Sequence, residues 1–199
     1  LIFSSTGGAL IGNCMPPVNE LSVPKPISPY GASKLACEGY ISSYSESFGI
    51  KSIVLRFGNV YGPYSFHKKG VLNKWINCAI NDTPIKIYGD GNSSRDYINV
   101  EDLCNGINLT IEHLGRKDIE NNNIFHLANN QETTLNELLA ILSKVSGKNM
   151  KVNYFPRRKG EVMRNFADIK KATNLLGFKP LISLDEGLKN LYEWIIDYK

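Results

Sequence analysis

The chain has 199 residues, 42% hydrophobic and 21% charged, with a formal net charge of +4. This is the composition of a water-soluble globular chain large enough for one large or two small cores. Its basic residues are scattered, which argues against nucleic acid and mildly favours anionic ligands, and no apolar run is long enough to span a bilayer.

Four cysteines, at 14, 37, 78 and 104, have no paired spacing, and three histidines are dispersed, so no zinc-site pattern is present. The cysteines read as reduced, buried small hydrophobes of a cytoplasmic protein. The chain opens inside an apolar run without an initiator Met, and reads as cut from something longer.

Leu1-Ile2-Phe3-Ser4 reads as the end of a buried strand entering a small-residue turn, Ser5-Thr6-Gly7-Gly8. Residues 12–29 are proline-rich and irregular. Pro29 then suits the first turn of a helix, and Gly49 is its natural stop. Along that helix Leu35, Tyr40, Ile41, Tyr44 and Phe48 recur at roughly helical spacing, as core or as a contact face. Tyr30 and Lys34 share one face at i and i+4. A phenol beside an ammonium is a candidate acid–base pair, because a nearby cation favours the phenolate.

Residues 51–57 form an apolar, β-branched strand left by the loop Gly58-Asn59-Val60-Tyr61-Gly62-Pro63. Strand, helix and strand in this order make a right-handed βαβ unit with a parallel sheet. Further on, the sequence predicts a helix over 71–81 and strands at 85–88 and 97–100. A helix at about 101–114, a polar surface loop at 115–123 and a strand at 124–127 follow. Thr134 and Glu137 form a capping box for a helix ending at Gly147. A strand at 151–154, a charged loop at 157–161, a short helix from Asp168 to Leu176 and a final helix after Ser183 complete the chain.

Chemistry gathers where strands end, which is where open α/β sheets place ligands. Phe3-Ser4-Ser5-Thr6-Gly7-Gly8-Ala9, Ser28-Pro29-Tyr30-Gly31-Ala32-Ser33-Lys34, Leu55-Arg56-Phe57-Gly58-Asn59-Val60-Tyr61-Gly62-Pro63, Gly89-Asp90-Gly91 with Arg95-Asp96-Tyr97, and Arg158-Lys159-Gly160-Glu161 occur in that order. Together they resemble the extended short-chain dehydrogenase/reductases, the NAD-dependent epimerase/dehydratase branch acting on nucleotide sugars. The resemblance covers essentially the whole chain.

It implies an α/β fold: the C-terminal part of a Rossmann-type doubly wound parallel sheet plus a smaller α/β substrate lobe. Residues 1–60 and 95–129 would belong to the NAD-binding part, with strands 1–4, 52–57, 97–100 and 124–127 in its sheet. Residues 61–94 and 130–199 would build the nucleotide-sugar lobe. The family's glycine-rich NAD fingerprint is not found, so the chain corresponds to roughly the C-terminal two-thirds of an enzyme and is not expected to turn over alone.

By resemblance, Tyr30 is the acid/base and Lys34 its partner on the nicotinamide ribose. Thr6 binds the reacting sugar oxygen, with Ser5 in its place if the turn is offset by one. Phe57 and Val60 flank the nicotinamide of NAD. Asn59, Arg95 and Arg158 contact the substrate diphosphate, Val71 and Leu72 the nucleobase, and Glu161 the nucleotide ribose, where aspartate is commoner. Asn165 stands where relatives use a bulky residue to exclude N-acetyl sugars. Its intermediate size leans toward acceptance of UDP-N-acetylglucosamine beside UDP-glucose. His67, Lys68 and Lys69 read as solvated loop.

Dehydratases of the family carry an acidic pair directly after the catalytic threonine, whereas Gly7 and Gly8 stand here. The expected activity is therefore C4 epimerisation of a UDP-hexose. A reductase of a 4-keto nucleotide sugar and a non-catalytic nucleotide-sugar-binding piece are the alternatives. The expected partners are a UDP-sugar and a second copy of the chain, with neither nucleic acid nor membrane and no metal.

Overall fold

A computed structural model describes residues 1–65, 67–116, 123–158 and 160–198. Most of the loop expected at 115–123, and Lys159 of the charged loop, lie outside the described residues.

Strand β1 (Ile2–Thr6) runs into α1 (Gly8–Ile11), a single turn, and an irregular segment leads to α2 (Pro29–Phe48). Ser28 caps α2, its Oγ accepting from the Gly31 N–H at 3.1 Å, and Gly49 ends the helix in the left-handed conformation at φ 64°. Strand β2 (Ile53–Phe57) pairs in parallel with β1, Ile2 opposite Ile53 and Thr6 opposite Phe57. After Gly58 the chain forms β3 (Asn59–Tyr61), then α3 (Val71–Ile80), β4 (Ile85–Tyr88), β5 (Ser94–Arg95), β6 (Tyr97–Asn99) and α4 (Val100–Leu114). Strand β7 (Asn123–Leu127) pairs in parallel with β2, giving a sheet of order β1-β2-β7. The remaining elements are β8 (Thr133–Thr134), α5 (Leu135–Ser146), β9 (Val152–Phe155), α6 (Lys170–Leu176) and α7 (Leu184–Tyr198). The capping box at Thr134 and Glu137 is formed.

Two expectations are corrected. Residues 97–99 do not join the three-stranded sheet; they pair in parallel with β3, which the sequence presented as loop. Three residues are too few to show a period of two, and the pairing is made across a separation that no local pattern reveals. The cysteines are not core: Cys14, Cys37 and Cys104 are exposed and Cys78 is half-buried. The α2 face turned to the protein carries Gly31, Leu35, Glu38 and Ser45, leaving Cys37 outside, and Tyr40, Tyr44 and Phe48 with it.

Two cores result. One joins Leu10, Ile53, Leu55, Phe125, Leu127 and Phe178 around the three-stranded sheet. The other packs Trp75, Ile76, Ile85, Ile87, Leu138 and Leu188 between α3, α5, α7 and the β4–β9 pair. Each fully buried aliphatic or aromatic side chain contributes about 1.5–3 kcal/mol. No helix among the described residues is long and apolar enough to cross a membrane.

Asp96 ties the junction. Its carbonyl accepts from Asn59 N–H at 2.7 Å, and its carboxylate accepts from Asn129 N–H at 2.7 Å and Ala167 N–H at 3.2 Å. Burial raises its pKa to about 6, against the lowering effect of those backbone bonds. Between the unfolded value near 3.8 and the folded value near 6 the folded state holds the extra proton, so stability falls as pH rises through that window. The stability advantage of the wild type over Asp96→Asn should therefore be larger at pH 4 than at pH 7, by up to about 3 kcal/mol for a shift of roughly two units. Urea denaturation at the two pH values checks this; an equal advantage at both would contradict it.

Candidate active site

Thr6 ends β1 at the C-terminal edge of the sheet. Beyond it, the Gly7 N–H still donates to the Phe57 carbonyl at 3.1 Å, so the turn begins in fixed register with β2. The helix bearing Tyr30 and Lys34 closes on this edge through Gly31. A Cβ there would lie 2.0 Å from the Ala9 carbonyl oxygen, so only glycine permits the approach. Tyr30 is 55% exposed and lines a cleft with Thr6, Gly8 and Asn165. Lys34 Nζ donates to the Ser4 carbonyl at 2.9 Å and stands 5.9 Å from the Tyr30 ring centroid.

Ser5 is not an alternative to Thr6. Its side chain is buried, and its Oγ donates to Glu38 Oε1 at 2.5 Å. Alternation along a strand sends adjacent side chains to opposite faces, and only Thr6 reaches the cleft.

Asn59, Arg95 and Glu161 line the same cleft as Thr6 and Tyr30 and also line its continuation toward α3 and β4. Arg95 Nη2 lies 3.8 Å from Glu161 Oε1. In the continuation the Arg158 guanidinium sits 3.6 Å above the Tyr88 ring centroid, and its hydrogen bond and charge lower the pKa of that phenol. Val71 lines this end, whereas the Leu72 side chain is buried in the second core and reaches only a small side pocket, which Val60 also lines. Phe57 and Val60 are half-buried against the first core. Asn165 is buried at the reactive end, its Nδ2 without a protein partner; a Cβ on Gly8 would approach its side chain to 2.8 Å.

Lys69, Lys74, Trp75, Lys86 and Tyr88 also line the continuation, and residue-by-residue reading missed them. Two signals were available. Val71, Lys74 and Trp75 follow at i, i+3 and i+4 on one helix face. Lys86 and Tyr88 alternate with the buried Ile85 and Ile87, so they point together to the other face of β4. The cleft continuation thus carries five cationic side chains and one carboxylate, a charge balance suited to a diphosphate. Among the described residues no cluster of His, Cys, Asp and Glu could hold a metal ion.

A hydroxyl at the end of a parallel strand, a Tyr-x-x-x-Lys helix beside it and a cation-lined cleft leading away define a Rossmann-type enzyme fold of the extended short-chain dehydrogenase/reductase class. Within that class, the family model described as GDP-mannose 4,6 dehydratase matches residues 5–191. The chain belongs to this NAD-dependent epimerase/dehydratase family.

A UDP-glucuronate 4-epimerase of Thermodesulfobacterium geofontis is 32% identical over 98% of this chain and 58% of its own length. The crystal structure of UDP-glucose 4-epimerase from Thermotoga maritima with UDP-glucose superposes with a TM-score of 0.91 at 35% identity, covering 99% of this chain and 63% of that one. The UDP-glucuronic acid 4-epimerase of Bacillus cereus, in complex with UDP-glucuronic acid and NAD, gives 0.91 at 29% identity over 100% of this chain and 62% of that one. The chain therefore spans about three-fifths of the length of these relatives.

Proposed function

We propose that this chain carries the catalytic pair and the nucleotide-sugar site of an NAD-dependent UDP-hexose 4-epimerase. The observation that carries the reading is adjacency: the pocket at Thr6 and Tyr30 and the cationic pocket share Asn59, Arg95 and Glu161 in their walls. That spacing suits a sugar at the hydroxyls, a diphosphate among the arginines and a base against Val71 and β4.

In this reading Tyr30 takes the proton of the sugar C4 hydroxyl and returns it, while Thr6 hydrogen-bonds the same oxygen. Lys34 has three donors, one committed to the Ser4 carbonyl, and the others suit ribose hydroxyls. Tyr30, Lys34, Phe57 and Val60 would hold the nicotinamide end of NAD, which would supply the acceptor and donor for the hydride. Glu161 is the one carboxylate among the described residues lining the reactive end, and it faces Arg95. No acid–base pair for water elimination stands beside Thr6, which favours epimerisation over dehydration. The cationic end of the cleft is expected to bind a uridine diphosphate.

The first test is calorimetric titration of this chain with UDP. Arg95→Ala and Arg158→Ala should each weaken binding at least about tenfold, since a hydrogen bond to a charged group is worth about 1.5–3 kcal/mol. Unchanged affinity in both would remove the cleft from the argument. Proton NMR of UDP-glucose incubated with the whole protein, without added cofactor, should then show the C4 epimer. NADH consumption confined to a 4-keto nucleotide sugar would replace the epimerase with a reductase.

Asn165 sets the room beside Gly8 at the sugar end. Asn165→Tyr should abolish turnover of UDP-N-acetylglucosamine while sparing UDP-glucose. Equal loss on both would refute a size filter.

Tyr40, Tyr44 and Phe48 are 69%, 53% and 72% exposed along one side of α2. We assign this row to contact with a second copy. Sedimentation should show a dimer that Tyr44→Glu converts to monomer; a wild-type monomer would end that assignment.

A further inference from the structure

Tyr30, Lys34 and Glu38 stand at i, i+4 and i+8 on α2, three successive turns of one helix face. Each meets the end of β1. Tyr30 shares the cleft with Thr6, Lys34 bonds the Ser4 carbonyl at 2.9 Å, and Glu38 accepts from Ser5 at 2.5 Å.

Glu38 does not stop at Ser5. Its Oε1 accepts from Arg56 Nε at 3.1 Å and its Oε2 from Arg56 Nη2 at 2.7 Å. The two side chains are only 6% and 3% exposed. Arg56 lies opposite Ser5 on β1 and opposite His126 on β7, so Ser5, Arg56 and His126 form one polar row across the whole sheet. The next row toward the strand ends is Thr6, Phe57 and Leu127. None of Glu38, Arg56 or His126 lines the cleft.

A buried ion pair contributes little net stability over a well-packed apolar pair, because both charges leave water. What a bidentate fork does supply is geometry. Here it joins the helix bearing Tyr30 to β1, which ends at Thr6, and to β2, which ends at Phe57 two residues before Asn59. A slip of α2 by one turn would move Tyr30 by about 5.4 Å, and a misplacement of about 1 Å can cost roughly 100-fold in rate.

We propose that Glu38 and Arg56 are positioning residues: they lock the register of α2 on β1 and so hold Tyr30 against Thr6. The catalytic consequence rests on the epimerase reading, whereas the register lock does not.

The test uses Glu38→Gln and the double variant E38M/R56M, which replaces the ion pair by an apolar one. Three readouts are combined: kcat and KM of the whole protein, UDP affinity, and amide hydrogen exchange at residues 4–6 and 29–35. Both variants should lose about 100-fold in kcat while UDP affinity stays within about twofold, because the nucleotide end is built elsewhere. Exchange at the β1 end and the first turns of α2 should quicken, with the β4–β9 pair unaffected. The double variant should keep a wild-type urea midpoint.

A double variant with wild-type kcat, or unchanged exchange in both variants, would reduce the pair to packing and overturn the proposal. Loss of UDP affinity in step with kcat would do the same, by showing general unfolding. Should the wild type epimerise no sugar, the functional reading falls and the exchange data alone decide the lock.

Discussion

The approach of α2 to α1 and β1 is the constraint on which the site depends. Gly31 lets the helix backbone reach the Ala9 carbonyl, and a methyl group at that position would be forced to within 2.0 Å of it. At this separation Lys34 can reach a strand carbonyl, Glu38 a strand hydroxyl, and Tyr30 the space beside Thr6. The inner face of α2 is correspondingly mixed, with Leu35 as its apolar contact to the first core among small and polar residues. Gly31, Leu35, Glu38 and Ser45 lie there, and Ser45 itself bonds Ser52 at 2.6 Å. The helix thus meets the sheet through directed polar contacts as well as through the packing of Leu35 on the first core.

A second constraint sets where the cleft can open. β2 and β3 are separated by a single residue, Gly58; β2 belongs to the first core, whereas the β3–β6 pair straddles both, with Val60 and Ile98 on the first and Tyr61 and Tyr97 in the second. A Cβ on Gly58 would come within 3.1 Å of the Asp96 carbonyl, so glycine lets the two strand systems touch. Asp96 then gathers the backbone of residues 59, 129 and 167 on its carbonyl and carboxylate. Asn59 and Arg95, immediately beside this knot, are two of the three residues common to both ends of the cleft, with Glu161. Ligand sites favour such junctions because two cores supply two rigid walls.

Much of this was legible in the sequence. The βαβ order, the Pro29 start and Gly49 stop of α2, the Thr134 capping box and the strands at 85–88 and 151–154 are local signals and local structure follows them. Thr6, Tyr30, Asn59, Arg95 and Arg158, singled out from short motifs, line the cleft in the structure. What was illegible was direction. The aromatic spacing along α2 marks a real face, but it is the outer one, since the inner face carries small and polar residues beside Leu35. Ser5 and Thr6 are equivalent as letters, and only the strand's alternation separates the buried hydroxyl from the one in the cleft. Lys74 and Lys86 are ordinary surface lysines in composition. Their role in the cleft comes from β4 lying beside α3, a pairing with no local signature.

The charge of the cleft argues for the ligand more strongly than any single motif. Lys69, Lys74, Lys86, Arg95 and Arg158 face a space in which Glu161 is the one carboxylate. Neither arginine has a close carboxylate. Arg95 Nη1 donates to the Ser94 carbonyl at 2.7 Å while its Nη2 lies 3.8 Å from Glu161, and Arg158 rests on the Tyr88 ring with a hydrogen bond to its phenol. An exposed cation–π contact is worth about 0.5–1 kcal/mol, whereas a hydrogen bond from a guanidinium to a phosphate oxygen is worth about 1.5–3 kcal/mol. On the proposed reading, a diphosphate would offer both guanidiniums a stronger acceptor and would relieve the mutual repulsion of the cations, and an Arg95 drawn toward it would leave Glu161 open to a hydroxyl. A neutral sugar entering the same cleft would gain none of these exchanges, and this is the electrostatic support for the proposal that the cleft takes a nucleotide-linked sugar.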